Sequence, residues 1–299
     1  MTVEIPFVRQ LEFEYGAPAQ VSPLIRRVIA RNPGAFTFLG TGTYIVGRGK
    51  VAVIDPGPEL TEHTDALLQA VRGETVSHIV ITHTHRDHSP GAAAVKHATG
   101  AKTYGFGPHP TRRSGPQVEE GGDYGFTPDV TLRDGDRVEG AGWTLEALHT
   151  PGHLSNHLCF GLTEEQALFS GDHVMGWSTS VISPPDGDMH HYMTSLKRLL
   201  PREDKLYYPT HGAPIRAPQD FVRKFIAHRE EREQQILACI KGGAAKLPAM
   251  VAIMYRDVDP RLHGAAARSV LAHLIHMQET GRVLSDGEAN ETAAYRLPG

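Results

Sequence analysis

The chain has 299 residues, 40% of them hydrophobic, with a formal net charge of −4. That allows one large domain, or a large one with a small appendage, and argues against a strongly basic nucleic-acid binder, so no DNA partner is expected. Cys159 and Cys239 form no Cys-x-x-Cys pair, and neither a leader-like segment nor a membrane-length apolar run occurs, which predicts a cytoplasmic protein without a membrane partner.

Phe36 to Ile54 alternates short apolar runs with Gly-rich turns and reads as antiparallel strands ending at Asp55-Pro56-Gly57. Thr61 to Val71 has helical spacing, and Val76 to Ile81 is a buried strand. Ser89-Pro90 predicts an N-cap and first-turn proline for a helix through about Ala98, its positive end favouring a nearby anion. Ala101 to Phe106 is a further strand. Gly107 to Asp129 is long and irregular, as lids and binding loops are. Arg137 to Ala147, Leu158 to Leu162 and Ala167 to Ser170 form a second group of strands. A helix from Met189 to Leu200 and a strand at Leu206-Tyr207-Tyr208 complete it. Strands with helices on both sides predict a layered α/β sandwich over residues 1–217.

A different region covers residues 218–299. Phe221 to Ile240 reads as a long charged helix, and Pro248 to Tyr255 and Gly264 to Glu279 as two more. Leu271, Leu274, Ile275 and Gln278 give the last of these a mostly apolar stripe. Arg282 to Ser285 and Ala293 to Leu297 would form a hairpin, which makes the region winged-helix-like.

Eighteen histidines is a heavy load, and fourteen of them precede residue 221. Their focus is Thr82-His83-Thr84-His85-Arg86-Asp87-His88, directly after Ile79-Val80-Ile81. Strand geometry puts His83 and His85 on one face, within reach of one ion. Asp87 and His88 follow at the strand end and can turn toward a second. Imidazole and carboxylate at this density suit zinc far better than packing. Four residues cannot fill two zinc shells. His153 in Thr150-Pro151-Gly152-His153, Asp172 in Ser170-Gly171-Asp172 and His211 in Pro209-Thr210-His211-Gly212 are the candidates for the remainder.

This set resembles the metallo-β-lactamase superfamily, in matching order and loop context. Within it, residues 82–89, 150–153, 170–172 and the stretch from His228-Arg229 to Glu233-Gln234-Gln235-Ile236-Leu237 resemble the β-lactamase-like protein 2 group. The winged-helix-like region fits the same group, so the resemblance covers roughly residues 36–285. It implies an αββα sandwich with two zinc ions per chain, iron or manganese being the alternatives. His83, His85 and His153 would hold one ion and Asp87, His88 and His211 the other, with Asp172 between them. It also implies a hydrolase using a hydroxide shared by ions about 3.5–4 Å apart, with Asp87 orienting it or taking its proton. Antibiotic-hydrolysing relatives commonly carry cysteine or serine at the position of Asp172, and di-iron redox relatives glutamate at that of His85. Both departures favour another hydrolysis.

Around this set, Asp55 can orient a ligating imidazole or simply cap a turn, and His157 can support a ligand or pack within the sandwich. The stretch Trp177 to Pro185, with Trp177, Val181 and Ile182, can wall a substrate pocket or be an ordinary packed connection. Arg112-Arg113 could meet an anion, although exposed loop arginines usually have no such role. His149 and His173 read as structural, and His190 and His191 as solvent-facing. His63, His78, His97, His109, His228, His263, His273 and His276 have no partner pattern.

Two substrate classes compete. Residues before 221 carry 25 acidic against 19 basic side chains, which suits a small ester or thioester. Single-stranded RNA, implied by animal members of the resembled group, needs a cationic track with stacking aromatics. The C-terminal part has only 11 basic against 9 acidic residues. A non-catalytic protein keeping zinc for stability is the third reading, and complete ligation argues against it. The winged-helix-like region is expected to cover the cleft or to mediate a homodimer.

Overall fold

Two β-sheets form the centre of the computed structural model, which describes residues 3–110, 121–256 and 263–299. The first contains β1 (Ala19–Gln20), β2 (Ile25–Ile29), β3 (Gly42–Val46), β4 (Lys50–Ile54), β5 (Thr75–Val80), β6 (Lys102–Gly105) and β7 (Val130–Thr131), in chain order. Pairing is antiparallel up to β4 and parallel from there on. Parallel neighbours require crossovers, which α1 (Thr61–Ala70) supplies for β4–β5 and α2 (Gly91–Thr99) for β5–β6. The second sheet has the order β12-β11-β10-β9-β8, from β8 (Arg137–Gly140), β9 (Trp143–His149), β10 (Leu158–Leu162), β11 (Ala167–Gly171) and β12 (Leu206–Pro209). Its one parallel pair, β11 with β12, is bridged by α3 (Met189–Leu199).

The sheets face each other across a core that includes Tyr44, Ile54, Leu145, Phe160, Phe169 and Tyr208. Leu67 and Val95 from α1 and α2 cover the outer face of the first sheet, against Ile45, Val53 and Ile79. Tyr192, Leu196 and Phe225 cover the outer face of the second, against Cys159, Leu168 and Tyr207. Strands β3, β10 and β11 are therefore buried on both faces and read as continuous apolar runs. The αββα sandwich is as the sequence leads one to expect.

Helix α4 (Pro218–Lys241) serves two cores. Phe221, Val222, Phe225 and Ile226 pack beneath the second sheet. Ile236, Cys239 and Ile240 join α5 (Leu247–Met254), α6 (His263–Glu279) and the antiparallel pair β13 (Leu284–Ser285) and β14 (Tyr295–Arg296).

Three local expectations need correction. Strands β1 and β2 precede Phe36, where none was anticipated. Arg26 and Arg27 break the apolar pattern of β2, yet Arg26 pairs with Glu74 and Arg27 donates to the Gly212 carbonyl. Ser89 does not cap α2: Pro90 occupies that position without a side-chain bond, and Ser89 Oγ donates to Asp123 at 2.7 Å. Arg137 to Ala147 is two strands, broken where Gly142 takes φ +78°.

Glu233 joins α4 to the C-terminal core. It accepts from Arg282 Nη1 at 2.6 Å and lies 3.4 Å from His273 Nδ1. Burial raises its pKa, but the bonds from His273 and Arg282 outweigh that and hold it at about 2, against an ordinary 4.5. A lowered carboxylate stabilises the fold above its unfolded pKa, and the effect is lost as pH falls from about 4.5 toward 2. Glu233→Gln should therefore cost roughly 2–3 kcal/mol at pH 7 and under half of that at pH 3, by urea denaturation beside the wild type. An equal loss at both pH values would mean that the ion pair contributes nothing.

Candidate metal centre

The parallel strands β4, β5, β11 and β12 all end at one edge of the sandwich, and each delivers a polar residue there. Asp55 follows β4, residues 82–88 follow β5, Asp172 follows β11 and His211 follows β12. The loop after β9 adds His153. Two glycines permit this convergence. At Gly171 (φ +53°) a Cβ would meet His157 Nε2 at 2.6 Å, and at Gly152 (φ +139°) one would strike the Tyr192 backbone at 2.4 Å.

All seven predicted ligands are brought together, buried. His83, His85 and His153 form one group, Asp87, His88 and His211 a second, and Asp172 joins His83 and His88 in a third. Ligand atoms within each group lie within 4.8 Å of one another. His85 Nδ1 is 3.0 Å from both His83 Nε2 and His153 Nε2. Asp87 Oδ2 is 3.2 Å from His88 Nε2 and 3.1 Å from His211 Nε2. Asp172 spans the groups, 3.5 Å from His211, 3.6 Å from His88 and 3.9 Å from His153.

The outer nitrogens settle which way each ring faces. Thr82 Oγ1 donates to Asp55 at 2.6 Å, so at 3.0 Å it accepts from His83 Nδ1. His153 Nδ1 donates to the Val181 carbonyl at 2.6 Å and His211 Nδ1 to that of Gly40 at 3.2 Å. His88 Nδ1 donates to Asp55 Oδ2 at 2.9 Å. Each of these four rings in its neutral form thus turns a bare Nε2 lone pair inward. His88 Nε2, His211 Nε2 and Asp172 Oδ1 are buried without an aligned hydrogen bond among the described residues. With those rings neutral, lone pairs and carboxylates converge without donors, the electrostatics of a cation cage. The donor set fits divalent metal.

Proton affinities divide along the same groups. Burial, with the neighbouring imidazoles, pushes His83 well below the ordinary histidine range. Burial with His153 does the same to His85. Burial also opposes charge on His88 and His211, but facing carboxylates outweigh it. Asp87, Asp172 and Asp55 raise His88 well above that range, and Asp172 with Asp87 raises His211 to about 10. An ion binding there would displace protons.

Asp55 reaches the centre only through other residues. Its carboxylate accepts from Thr82 N, Thr82 Oγ1, His88 Nδ1 and Thr210 Oγ1, at 2.6–3.3 Å. His157 Nε2 accepts the Asp172 N–H at 3.2 Å, and its Nδ1 is held by Thr150. Burial keeps His157 neutral, its pKa well below the ordinary value. A small cleft opens over the cage, lined by His85, Asp87, His153 and Asp172 and walled by Phe36, Met175 and Val181. Trp177 is outside that lining and stacks on Phe38, with centroids 4.7 Å apart.

His173 is buried against Tyr192, and His149 lies on Phe106. His190 and His191 are exposed. The described ends of the 107–129 segment are tied to the histidine loop, through Thr84 to His109 and Asp123 and through Arg86 to Gly121. Arg112-Arg113 lie outside the described residues. Reading from sequence missed Thr82, Thr210 and the carbonyls of Gly40 and Val181. A threonine directly before His83 and before His211 was the available signal.

Fold and cage together define a layered α/β protein with a preformed set of groups that could hold metal. The family model for the Metallo-beta-lactamase superfamily matches residues 37–211, and that for the Beta-lactamase associated winged helix domain matches residues 247–292. The chain belongs to the metallo-beta-lactamase superfamily, most of whose members are hydrolases. Lactamase-like protein adaB of Aspergillus niger is 30% identical over 97% of this chain and 95% of its own. Atrochrysone carboxyl ACP thioesterase of Claviceps purpurea is 34% identical over 82% and 74% of the respective chains. Beta-lactamase-like protein 2 homolog of Caenorhabditis elegans is 36% identical over 74% and 72%. A beta-lactamase domain protein from Burkholderia ambifaria superposes with a TM-score of 0.79 at 19% identity, covering 98% of this chain and 97% of that one. A metallo-beta-lactamase family protein from Thermus thermophilus gives 0.76 at 22% identity, covering 93% and 100%. Both structural likenesses are of fold.

Proposed function

We propose that this protein is a metal-dependent hydrolase of acyl thioesters or related esters, with two zinc ions as its cofactor. The observation that carries the reading is the set of inward-facing ligand atoms on the floor of a cleft with apolar walls. His83, His85 and His153 would hold one ion, Asp87, His88 and His211 the other, and Asp172 would serve both. When bound, such ions supply Lewis acidity, lowering the pKa of water and polarising the carbonyl under attack.

The chain's own residues do the rest. Asp87 lines the cleft and is held ionised: burial raises its pKa, but His88 and His211 bring it below the usual carboxylate range. It can therefore orient the attacking water by accepting an O–H bond. Phe36, Met175 and Val181 offer an acyl group apolar contact. The thioesterase name of the Claviceps purpurea relative supports this substrate class.

A panel on zinc-loaded protein tests the reading, with acyl thioesters, simple esters, lactones and end-labelled single-stranded RNA. Thioester turnover should lead, and chelation should lower it by about 100-fold or more, reversed by adding zinc back. Fast RNA cleavage beside inert thioesters would transfer the site to phosphodiesters.

A further inference from the structure

The stretch His228-Arg229 to Glu233 stood out in the sequence, and the metal centre leaves it unused. In the structure it is the waist of α4, between the two cores that the helix serves. Arg229 and Glu233 lie one turn apart, 2% and 4% exposed, and face different partners. Glu233 holds Arg282 and His273 of the C-terminal core. Arg229 points into the sandwich: its Nη2 donates to the Ser180 carbonyl at 2.5 Å, and its guanidinium lies 5.2 Å from the Tyr192 ring centroid.

The next residue in the chain, Val181, is the one whose carbonyl accepts from His153 Nδ1. Ser180 Oγ and Tyr192 Oη both donate to the His173 carbonyl at 2.9 Å, tying the same segment to the backbone next to Asp172. We propose that Arg229 is a positioning residue: it fixes the backbone at Ser180–Val181 and thereby the ring angle and tautomer of His153. Helix α4 thus helps to set a ligand through the backbone at Ser180–Val181. A guanidinium suits the task, since its planar fork can donate to a carbonyl while stacking on Tyr192. The inference rests on His153 being a metal ligand, as argued above.

The test uses the full chain with zinc, measured by competition against a chromogenic chelator. Hydrogen exchange over residues 178–188 supplies a readout independent of metal. Arg229→Gln should weaken zinc binding by about 10–100-fold, as loss of a ligand's supporting partner does, and speed exchange across that segment. Arg229→Lys, which keeps the charge but not the fork, should weaken it by about 3–10-fold. If the glutamine variant does not fold, the lysine variant decides. Glu233→Gln should lower the melting temperature yet keep zinc affinity within about twofold, because its partners lie on the C-terminal side. Wild-type zinc affinity and exchange in a folded Arg229 variant would overturn the proposal. So would equal weakening by Glu233→Gln, which marks general destabilisation. A wild type that takes up no zinc would instead sink the metal-centre reading, and hydrogen exchange would still decide whether Arg229 fixes the segment.

Discussion

Asp172→Ala should lower kcat by about 1,000-fold or more, equivalent to roughly 4 kcal/mol of transition-state stabilisation, and reduce bound zinc by about half. Among the described residues, Asp172 is the one carboxylate within 4 Å of His88, His153 and His211 at once. Burial raises its pKa, but His211 and His88 outweigh that and hold it well below the usual carboxylate range, so it presents two anionic oxygens. Without it, two positively biased imidazoles lose one of their facing carboxylates, and the His83 group loses its link to the His88 group. Elemental analysis beside steady-state kinetics reads both effects. A variant with full zinc and near-normal kcat would remove Asp172 from the centre, and unchanged binding of a partner without any turnover would favour a non-catalytic protein.

Asp55→Asn should leave the fold in place, abolish most activity and weaken zinc binding by about 10–100-fold. Asn tolerates the left-handed backbone at this position (φ +48°) and keeps one acceptor oxygen. With that oxygen kept at the Thr82 N–H, however, its amide hydrogens would face the donors that now meet Oδ2: Thr82 O–H, His88 Nδ1–H and Thr210 O–H. His88 can relieve the clash only by moving its proton to Nε2, which closes the lone pair facing Asp87 and Asp172. The wrong-tautomer outcome has precedent in the Asp-to-Asn change of a serine-protease triad. Asp55→Ala should be harsher, since it strands buried donors at about 1–3 kcal/mol each and lowers stability as well. Isothermal titration with zinc and thermal melting distinguish the two variants. Wild-type zinc affinity in Asp55→Asn would reduce Asp55 to a turn residue.

The ligands were legible because their chemistry is written locally. His83 and His85 alternate on a strand, and His153, Asp172 and His211 each follow an apolar strand in a turn containing glycine or proline. The sheets were legible where both faces are buried, as in β10 and β11. Strand β2 was not, because its arginines are satisfied by residues 48 and 185 positions away, and no local pattern announces such partners. Ser89 failed as a cap for a similar reason: Asp123 takes its hydroxyl from across a loop. The supporting layer was half visible. Asp55 and His157 drew notice as titratable residues, whereas the carbonyls of Gly40 and Val181 carry no side-chain identity and depend on tertiary approach alone. The cleft walls divide likewise: Val181 comes from the anticipated stretch, whereas Phe36 and Met175 stand in place of Trp177.

Helix α4 has a consequence for how such proteins can be cut and recombined. Its first turns roof the second sheet over Cys159, Leu168 and Tyr207, and its last turns nucleate the terminal bundle. Trimming the tail at the visible sandwich boundary would strip a layer from the enzyme-like half and leave its greasy underside wet. A lineage bearing this continuous rod can tinker with what hangs from its far end, but it cannot discard the rod itself.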